Sequence, residues 1–291
     1  ALMLSKNMPA VQTGIRYGFD AVIDLARRAC ISSPLPKVYS LSLGSADVNL
    51  MEMTSAYSSF ANLGMRYEPR MWDSITSQDG ALLERSNPKS SKVMDSASAY
   101  VINDMMRDVV RHGTAFGVAA SGFNFPSGGK TGTTNDYTDA WYIGYTPIYT
   151  CGVWMGFDQK KKLGSGFTGA KVAVPIWIDV MKAAHRGRPV VDWPRPSRVV
   201  SFTACAKPKA DGTCGEQRME FGVAGNPNLD QASMDSATRA RLMKAIPGFG
   251  ASTTPVTAPG ATVPAGAFGA KPGAKVDSNA NAPVRKGPSL F

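Results

Sequence analysis

Between residues 127 and 157 the sequence abandons helical periodicity. Glycine clusters alternate with Thr, Tyr and Trp. Two apolar runs, AWYIGYTP (140–147) and YTCGVWMGF (149–157), read as strands joined by a short turn at Thr146-Pro147.

Helical patterns lie on both sides of this block. Residues 1–31 read as helical, with Met8-Pro9 at a helix start and Asp20 as the cap of a second helix. Over 47–63, Leu50, Met53, Tyr57 and Phe60 recur at helical spacing, Asp47 is placed to cap the start, and Gly64 to end it. A polar hairpin follows at 71–86 with Asp79-Gly80 as its turn. Asp95 then caps a helix running through Val101, Met105 and Val109 to Gly113. Pro175 opens a further helix through Ile176, Trp177, Ile178 and Met181, ending at Gly187. Helices, then strands, then a helix describe an α+β domain, an antiparallel sheet packed with helices, rather than a repeating βαβ fold. The expected division is a main domain over 1–190, a small irregular appendage over 191–248, and a tail over 249–291. That tail is Ala, Pro, Gly and Thr with almost no large apolar residue, and too little burial is available to offset its ordering entropy. It is expected to be disordered.

Hydrophobic residues make up 43% of the chain, enough for a core. A net charge of +10 suits an acidic partner or simple solubility, and no Arg-rich stripe or aromatic–basic alternation marks a nucleic-acid module. Cys30 and Cys151 sit among apolar neighbours and read as buried thiols. Cys205 and Cys214 flank the turn-rich CAKPKADGTC, where a disulfide fits an oxidising compartment, and no His or Cys cluster nearby offers a zinc or other metal site. His112 and His185 each follow a helix near its last turn, where a cation at the helix C-terminus is the simple reading. No apolar run reaches the ~18 residues that span a bilayer. The chain opens mid-pattern with ALMLSKNMPAV, as expected for a fragment whose targeting and anchoring segments lie before it.

The chemistry concentrates in GGKTGTTNDYTDAWYIGYTP, residues 128–147. With Lys130-Thr131-Gly132-Thr133 on a strand, alternate side chains share a face, and twist at the glycines lets ammonium and hydroxyl meet one ligand. Gly128, Gly129 and Gly132 lack Cβ atoms, so another backbone can approach. Such an edge suits an extended peptide added as a strand, its carboxylate held by charge-assisted hydrogen bonds. A lone K-T-G is equally a glycine-rich hairpin with solvated side chains. The phosphate-binding pattern G-x-x-x-x-G-K-[ST] is not met.

Over about twenty consecutive positions, including TDAWYIGYTP at 138–147, this string resembles the K-T-G region of class A, bifunctional penicillin-binding proteins. A second motif of that family, S-x-N, is matched by Ser5-Lys6-Asn7, within flanks that resemble the family's loop between two helices. LSLGSADVNLMEMTSAYSSFANLG (41–64), HGTAFGVAASG (112–122) and GAKVAVPIWIDVM (169–181) also resemble the family, in its order, so the likeness covers residues 1–185. Ala115 stands where a second Gly is expected. The remaining motif, S-x-x-K, precedes S-x-N in the family, yet only four residues precede Ser5. Ser86-to-Lys89 falls in a polar loop and Ser127-to-Lys130 overlaps K-T-G, so both read as chance.

The resemblance implies a penicillin-binding, serine β-lactamase-like transpeptidase fold, incomplete at its N-terminus. It implies a peptidoglycan D,D-transpeptidase that forms a serine acyl-enzyme on stem peptides ending in D-Ala-D-Ala, and that β-lactams trap. It implies no cofactor, possible partners in the cell-wall synthesis machinery, and a place on the extracytoplasmic face of the membrane, anchored by an earlier segment. By the same resemblance Ser5 relays a proton, Lys130 supports the field around it, and Asn7 holds the substrate amide. Thr131, Gly132 and Thr133 bind the substrate carboxylate, with the Thr133 N–H forming half of an oxyanion hole. Asp139 and Trp141 read as scaffold. A class A β-lactamase would offer a Glu in an E-x-x-L-N setting, which Glu52, Glu68 and Glu84 do not match. A non-catalytic structural module of the same machinery is the alternative.

Overall fold

The computed structural model describes residues 1–209 and 213–226. A 3₁₀ turn, Leu2–Leu4, leads into α1 (Asn7–Tyr17) and α2 (Phe19–Arg28). A second 3₁₀ turn, Tyr39–Leu43, precedes α3 (Leu50–Ala61). Four short strands follow: β1 (Met65–Tyr67), β2 (Ser74–Thr76), β3 (Leu82–Arg85) and β4 (Ser90–Lys92). β1 pairs with β4, and β2 with β3 around Gly80, whose φ of 87° marks the expected turn. Then come α4 (Ser96–His112), α5 (Phe116–Ala120), and the three-stranded sheet β5 (Gly128–Thr133), β6 (Ala140–Tyr145) and β7 (Thr150–Met155). A π-type turn, Gly169–Ala173, opens into α6 (Val174–Ala184), and β8 (Val199–Pro208) with β9 (Cys214–Val223) closes the described chain.

The sheet runs β5-β6-β7, fully antiparallel, with Lys130 opposite Ile143 and Gly132 opposite Trp141. Among the described residues β5 is an edge strand, with no strand paired to it on the side away from β6. On one face of β6, Tyr142 meets Trp177 of α6 edge-on. The Trp177 indole N–H donates to the Gly144 carbonyl at 3.2 Å and the Cys151 carbonyl at 3.1 Å, tying β6 to β7. A Cβ on Gly144 would lie 2.9 Å from that indole, so the close approach requires glycine. On the other face Tyr145 stacks on Phe60 of α3 and meets Trp193. One apolar cluster joins α4, α5, β6, β7 and α6, and a second joins α3, α4, Tyr145 and the C-terminal hairpin. Helices thus pack on both faces of this antiparallel sheet.

Several local expectations shift. Asp95 caps α4 as expected, accepting the N–H of Ala97 and Ser98, each at 3.1 Å. Asn49, not Asp47, caps α3: its side chain accepts the Glu52 N–H at 2.8 Å, three residues on, where a cap must reach. Asp47 pairs with Lys160 instead. Asp20 sits inside the first turn of α2, preceded by Gly18 as cap, and pairs with Lys37. On α4 the buried stripe is Ala99, Asn103, Met106 and Val110 beside Val109, while Met105 is exposed. Cys30 is exposed, with φ 63° at the end of α2, rather than buried. Cys151 is half-buried, and burial pushes its thiol up. His112 is the exposed last residue of α4. His185 stands at the C-terminal end of α6, as expected, and is buried there among Phe123, Phe125 and Tyr149. Its Nδ1–H donates to the Met181 carbonyl at 2.8 Å, and Nε2 faces the Thr146 hydroxyl at 3.0 Å.

The stretch expected to be irregular folds, over its described part, as a long hairpin. β8 and β9 pair from Val199–Val223 to Pro208–Cys214. Val199 and Val200 are fully buried, and Phe221 packs edge-on against Tyr100 of α4. Arg218 reaches Asp108 on α4, and Arg107 of α4 holds Asp192 through two parallel bonds of 3.0 Å. The Trp193 indole N–H donates to the Ala61 carbonyl at 2.7 Å. Cys214 is disulfide-bonded, whereas Cys30 and Cys151 are free thiols. The tail expected to be disordered lies outside the described residues, as does 227–248. Among the described residues no helix is long and apolar enough to cross a membrane.

Candidate active site

Ser5 follows the first 3₁₀ turn with φ 50° and ψ 45°, a left-handed conformation that costs a non-glycine residue about 1–2 kcal/mol. The surrounding loop holds it there. The Ser5 N–H donates to Leu2 and the Lys6 N–H to Ala1, each at 3.1 Å. The turn is fastened to the end of α4, where the Thr114 N–H donates to the Met3 carbonyl at 3.2 Å. A Cβ on Gly113 would lie 2.3 Å from the same carbonyl, so glycine permits the contact. Asn7 is the exposed first residue of α1, two positions beyond Ser5.

Lys130 lies on the edge strand β5, opposite this loop. Its ammonium donates to Ser5 Oγ across 125 residues of sequence, and to the Thr131 carbonyl at 2.8 Å. It is half-buried, and loss of water holds its pKa below the ordinary lysine value. Space requires glycine at 129 and is tight at 132. A Cβ on Gly129 would lie 2.7 Å from both the Ile143 carbonyl and the Tyr142 hydroxyl, and one on Gly132 would lie 3.2 Å from Trp141 Cβ.

The two strand threonines are each held by a residue from elsewhere. Thr131 Oγ1 lies 2.7 Å from Thr114 Oγ1. Thr133 is exposed, and its Oγ1 accepts the Gly169 N–H at 3.0 Å, leaving its own hydroxyl proton free to donate. The structure therefore brings Ser5, Lys130 and Thr131 into one hydrogen-bonded group, with Gly132 and Thr133 continuing along the strand. Thr114 and Gly169 carried no role from sequence, although both fall in stretches already marked as family-like. Ala115 is buried with φ −108°, a conformation that needs no glycine. Asp139 accepts the Trp154 indole N–H at 3.0 Å and the Thr138 hydroxyl at 2.7 Å, a scaffold role for the β5–β6 turn. Neither S-x-x-K match lies on a helix: Ser86 follows β3, and Ser127 is buried just before β5. Among the described residues no group of His, Cys, Asp and Glu is arranged to hold a metal.

A hydroxyl beside a partly desolvated ammonium, with further hydroxyls along the same strand, can hold an anionic group and pass a proton. Comparison with known proteins identifies the family. A family model described as the penicillin binding protein transpeptidase domain matches residues 27–182, which includes Lys130 and begins after Ser5 and Asn7. Penicillin-binding protein 1A of Aquifex aeolicus is 36% identical over 238 residues, covering 81% of this chain and 32% of the relative. Penicillin-binding protein 1A of Neisseria meningitidis (Z2491) is 37% identical over 207 residues, covering 69% of this chain and 26% of the relative. The chain thus spans about a quarter to a third of the length of these curated relatives. Among solved structures, penicillin-binding protein 1A of Haemophilus influenzae superposes with a TM-score of 0.69 at 26% identity, over 77% of this chain and 39% of that one. PonA1 of Mycobacterium tuberculosis gives a TM-score of 0.53 at 25% identity, over 60% of this chain and 52% of that one. With more than half of its residues matched by the family model, the chain belongs to the penicillin-binding protein transpeptidase family.

Proposed function

We propose that this chain forms two sides, S-x-N and K-T-G, of the active site of a peptidoglycan D,D-transpeptidase. The observation that carries the reading is the Lys130 ammonium donating to Ser5 Oγ. Because the ammonium occupies an oxygen lone pair, the Ser5 O–H proton is free to point at a departing amide nitrogen. Ser5 is then a proton relay, and the ammonium favours the charge distribution of the transfer. Asn7, at the loop's far end, holds the substrate amide. The open edge of β5 receives the stem peptide as an added strand, with its terminal carboxylate between Lys130 and the hydroxyls of Thr131 and Thr133. Gly132 keeps the strand clear for that approach, and the Thr133 N–H serves as one donor of the oxyanion hole.

The acylated serine, with its S-x-x-K lysine, is supplied from outside these 291 residues, since neither match within them lies on a helix. That serine attacks the penultimate D-Ala carbonyl and the terminal D-Ala leaves. An amine from a neighbouring stem then displaces the serine and closes the cross-link. β-Lactams are the matching inhibitors, and the related PonA1 has been solved in complex with penicillin V. The disulfide-bonded Cys214 favours an oxidising, extracytoplasmic location, with membrane anchoring through a segment other than those described.

The test is acylation of the complete enzyme by a fluorescent penicillin in stopped flow. Lys130→Ala is expected to slow acylation by about 100-fold or more, since removing one electrostatic stabiliser costs ~2.7–4 kcal/mol. Near-normal acylation with the fold intact would refute the role assigned to Lys130.

A further inference from the structure

Thr114 belongs to neither motif but touches both sides of the site, the Ser5 loop with its main chain and Thr131 with its side chain. Its backbone N–H donates to the Met3 carbonyl at 3.2 Å, two residues before Ser5. Its hydroxyl lies 2.7 Å from that of Thr131. Lys130 completes the circuit by donating both to Ser5 and to the Thr131 carbonyl. The contacts form a closed ring: Ser5 to Lys130, Lys130 to Thr131, Thr131 to Thr114, and Thr114 back to the Ser5 loop.

We propose that Thr114 is a positioning residue that sets the direction of the Thr131 hydroxyl and thereby the site's preference for a carboxylate. The inference rests on the reading that Thr131 binds the substrate carboxylate. A carboxylate is acceptor-only, so Thr131 must donate to it. The Thr131 oxygen is then free to accept, and Thr114 Oγ1 is in place to donate to it. Chained hydroxyls polarise one another, so the Thr131 proton becomes a better donor than that of an isolated threonine. In the opposite polarity Thr131 would spend its proton on Thr114 and offer the carboxylate only lone pairs. With a carboxylate bound, the polarity in which Thr114 donates is the one that leaves both hydroxyl protons used, while its main chain fixes the distance from the strand to the Ser5 loop.

The test compares penicillin G with its methyl ester as acylating agents of the complete enzyme, in wild type, Thr114→Val, Thr114→Ser and Thr131→Val. Wild type is expected to acylate faster with the acid. In Thr114→Val the acid-over-ester ratio should fall about five- to tenfold, the scale of one neutral hydrogen bond. The loss should appear in the concentration for half-maximal rate more than in the limiting rate. Thr114→Ser, which keeps the hydroxyl, should restore the ratio. A purely structural role would lower both reagents equally and leave the ratio unchanged. An unchanged ratio in Thr114→Val, with the ratio lowered in Thr131→Val, would overturn the inference alone. A ratio unchanged in Thr131→Val would instead sink the reading beneath it. Should valine not fit the loop, Thr114→Ala gives the same readout.

Discussion

Replacing Gly169 by alanine probes how tightly the π-type turn is pressed against the sheet. The new Cβ would lie 2.2 Å from the Trp141 carbonyl oxygen and 2.6 Å from the Gly132 carbonyl oxygen. Both are backbone atoms of paired residues in β5 and β6, so no side chain can swing away. The turn or the strand pair must move. Overpacking of this kind costs about 1–3 kcal/mol, and the Gly169 N–H to Thr133 bond adds about 0.5–1.5 kcal/mol when stretched, for a total near 2–4 kcal/mol. At about 2–4 °C per kcal/mol, the melting temperature should fall by roughly 4–16 °C. Thermal unfolding followed by tryptophan fluorescence and far-UV circular dichroism measures it. Gly117→Ala is the control, because its Cβ would meet only Val174 Cγ1 at 3.5 Å, an ordinary contact on a helix. Coincident melting of Gly169→Ala and wild type would refute the close approach of turn and sheet.

Two further expectations concern pH. Burial holds the Lys130 pKa below the ordinary lysine value, so its ammonium is lost at lower pH than that of an exposed lysine. The alkaline limb of acylation should therefore begin early, and Lys130→Arg, charged throughout, should move that limb away. An alkaline limb unaffected by Lys130→Arg would count against Lys130 as its source. Because the unfolded chain keeps this proton to higher pH, Lys130 contributes stability that rises with pH between its depressed value and the ordinary one. Glu52, whose carboxylate accepts from Ser32 and Ser33, is lowered from 4.5 to about 2. Its contribution is full above the unfolded value and lost as pH falls through about 2. Urea midpoints should decline over that window in wild type but not in Glu52→Gln, and parallel declines would contradict the assignment.

What the sequence disclosed was local. The Asp95 cap, the Gly80 turn and the glycine-lined strand at Lys130 are specified by residues a few positions apart, and the structure has each where the pattern put it. Near-misses have local causes too. Asp47 and Asn49 are both good caps, and only the distance to the Glu52 N–H chooses Asn49. Cys30 has apolar neighbours in sequence but ends a helix in a left-handed turn that points it outward. The C-terminal hairpin was illegible because its stability is borrowed. Its anchors are Tyr100, Arg107 and Asp108 on α4 and the Ala61 carbonyl on α3, each far away in sequence. The site divides the same way. Ser5 and Lys130 were paired through a family likeness rather than any spacing, and the contact between them spans 125 residues. Thr114 and Gly169 had no motif of their own, and only their hydrogen bonds to Thr131 and Thr133 reveal them.

The account stands on Ser5 and Lys130 serving a nucleophile they do not themselves provide. Digestion of the complete enzyme after reaction with penicillin, followed by mass spectrometry of the adduct-bearing peptide, tests this most directly. The penicilloyl group should be found on the serine of an S-x-x-K helix outside residues 1–291. A penicilloyl group on Ser5, Ser86 or Ser127 would contradict it.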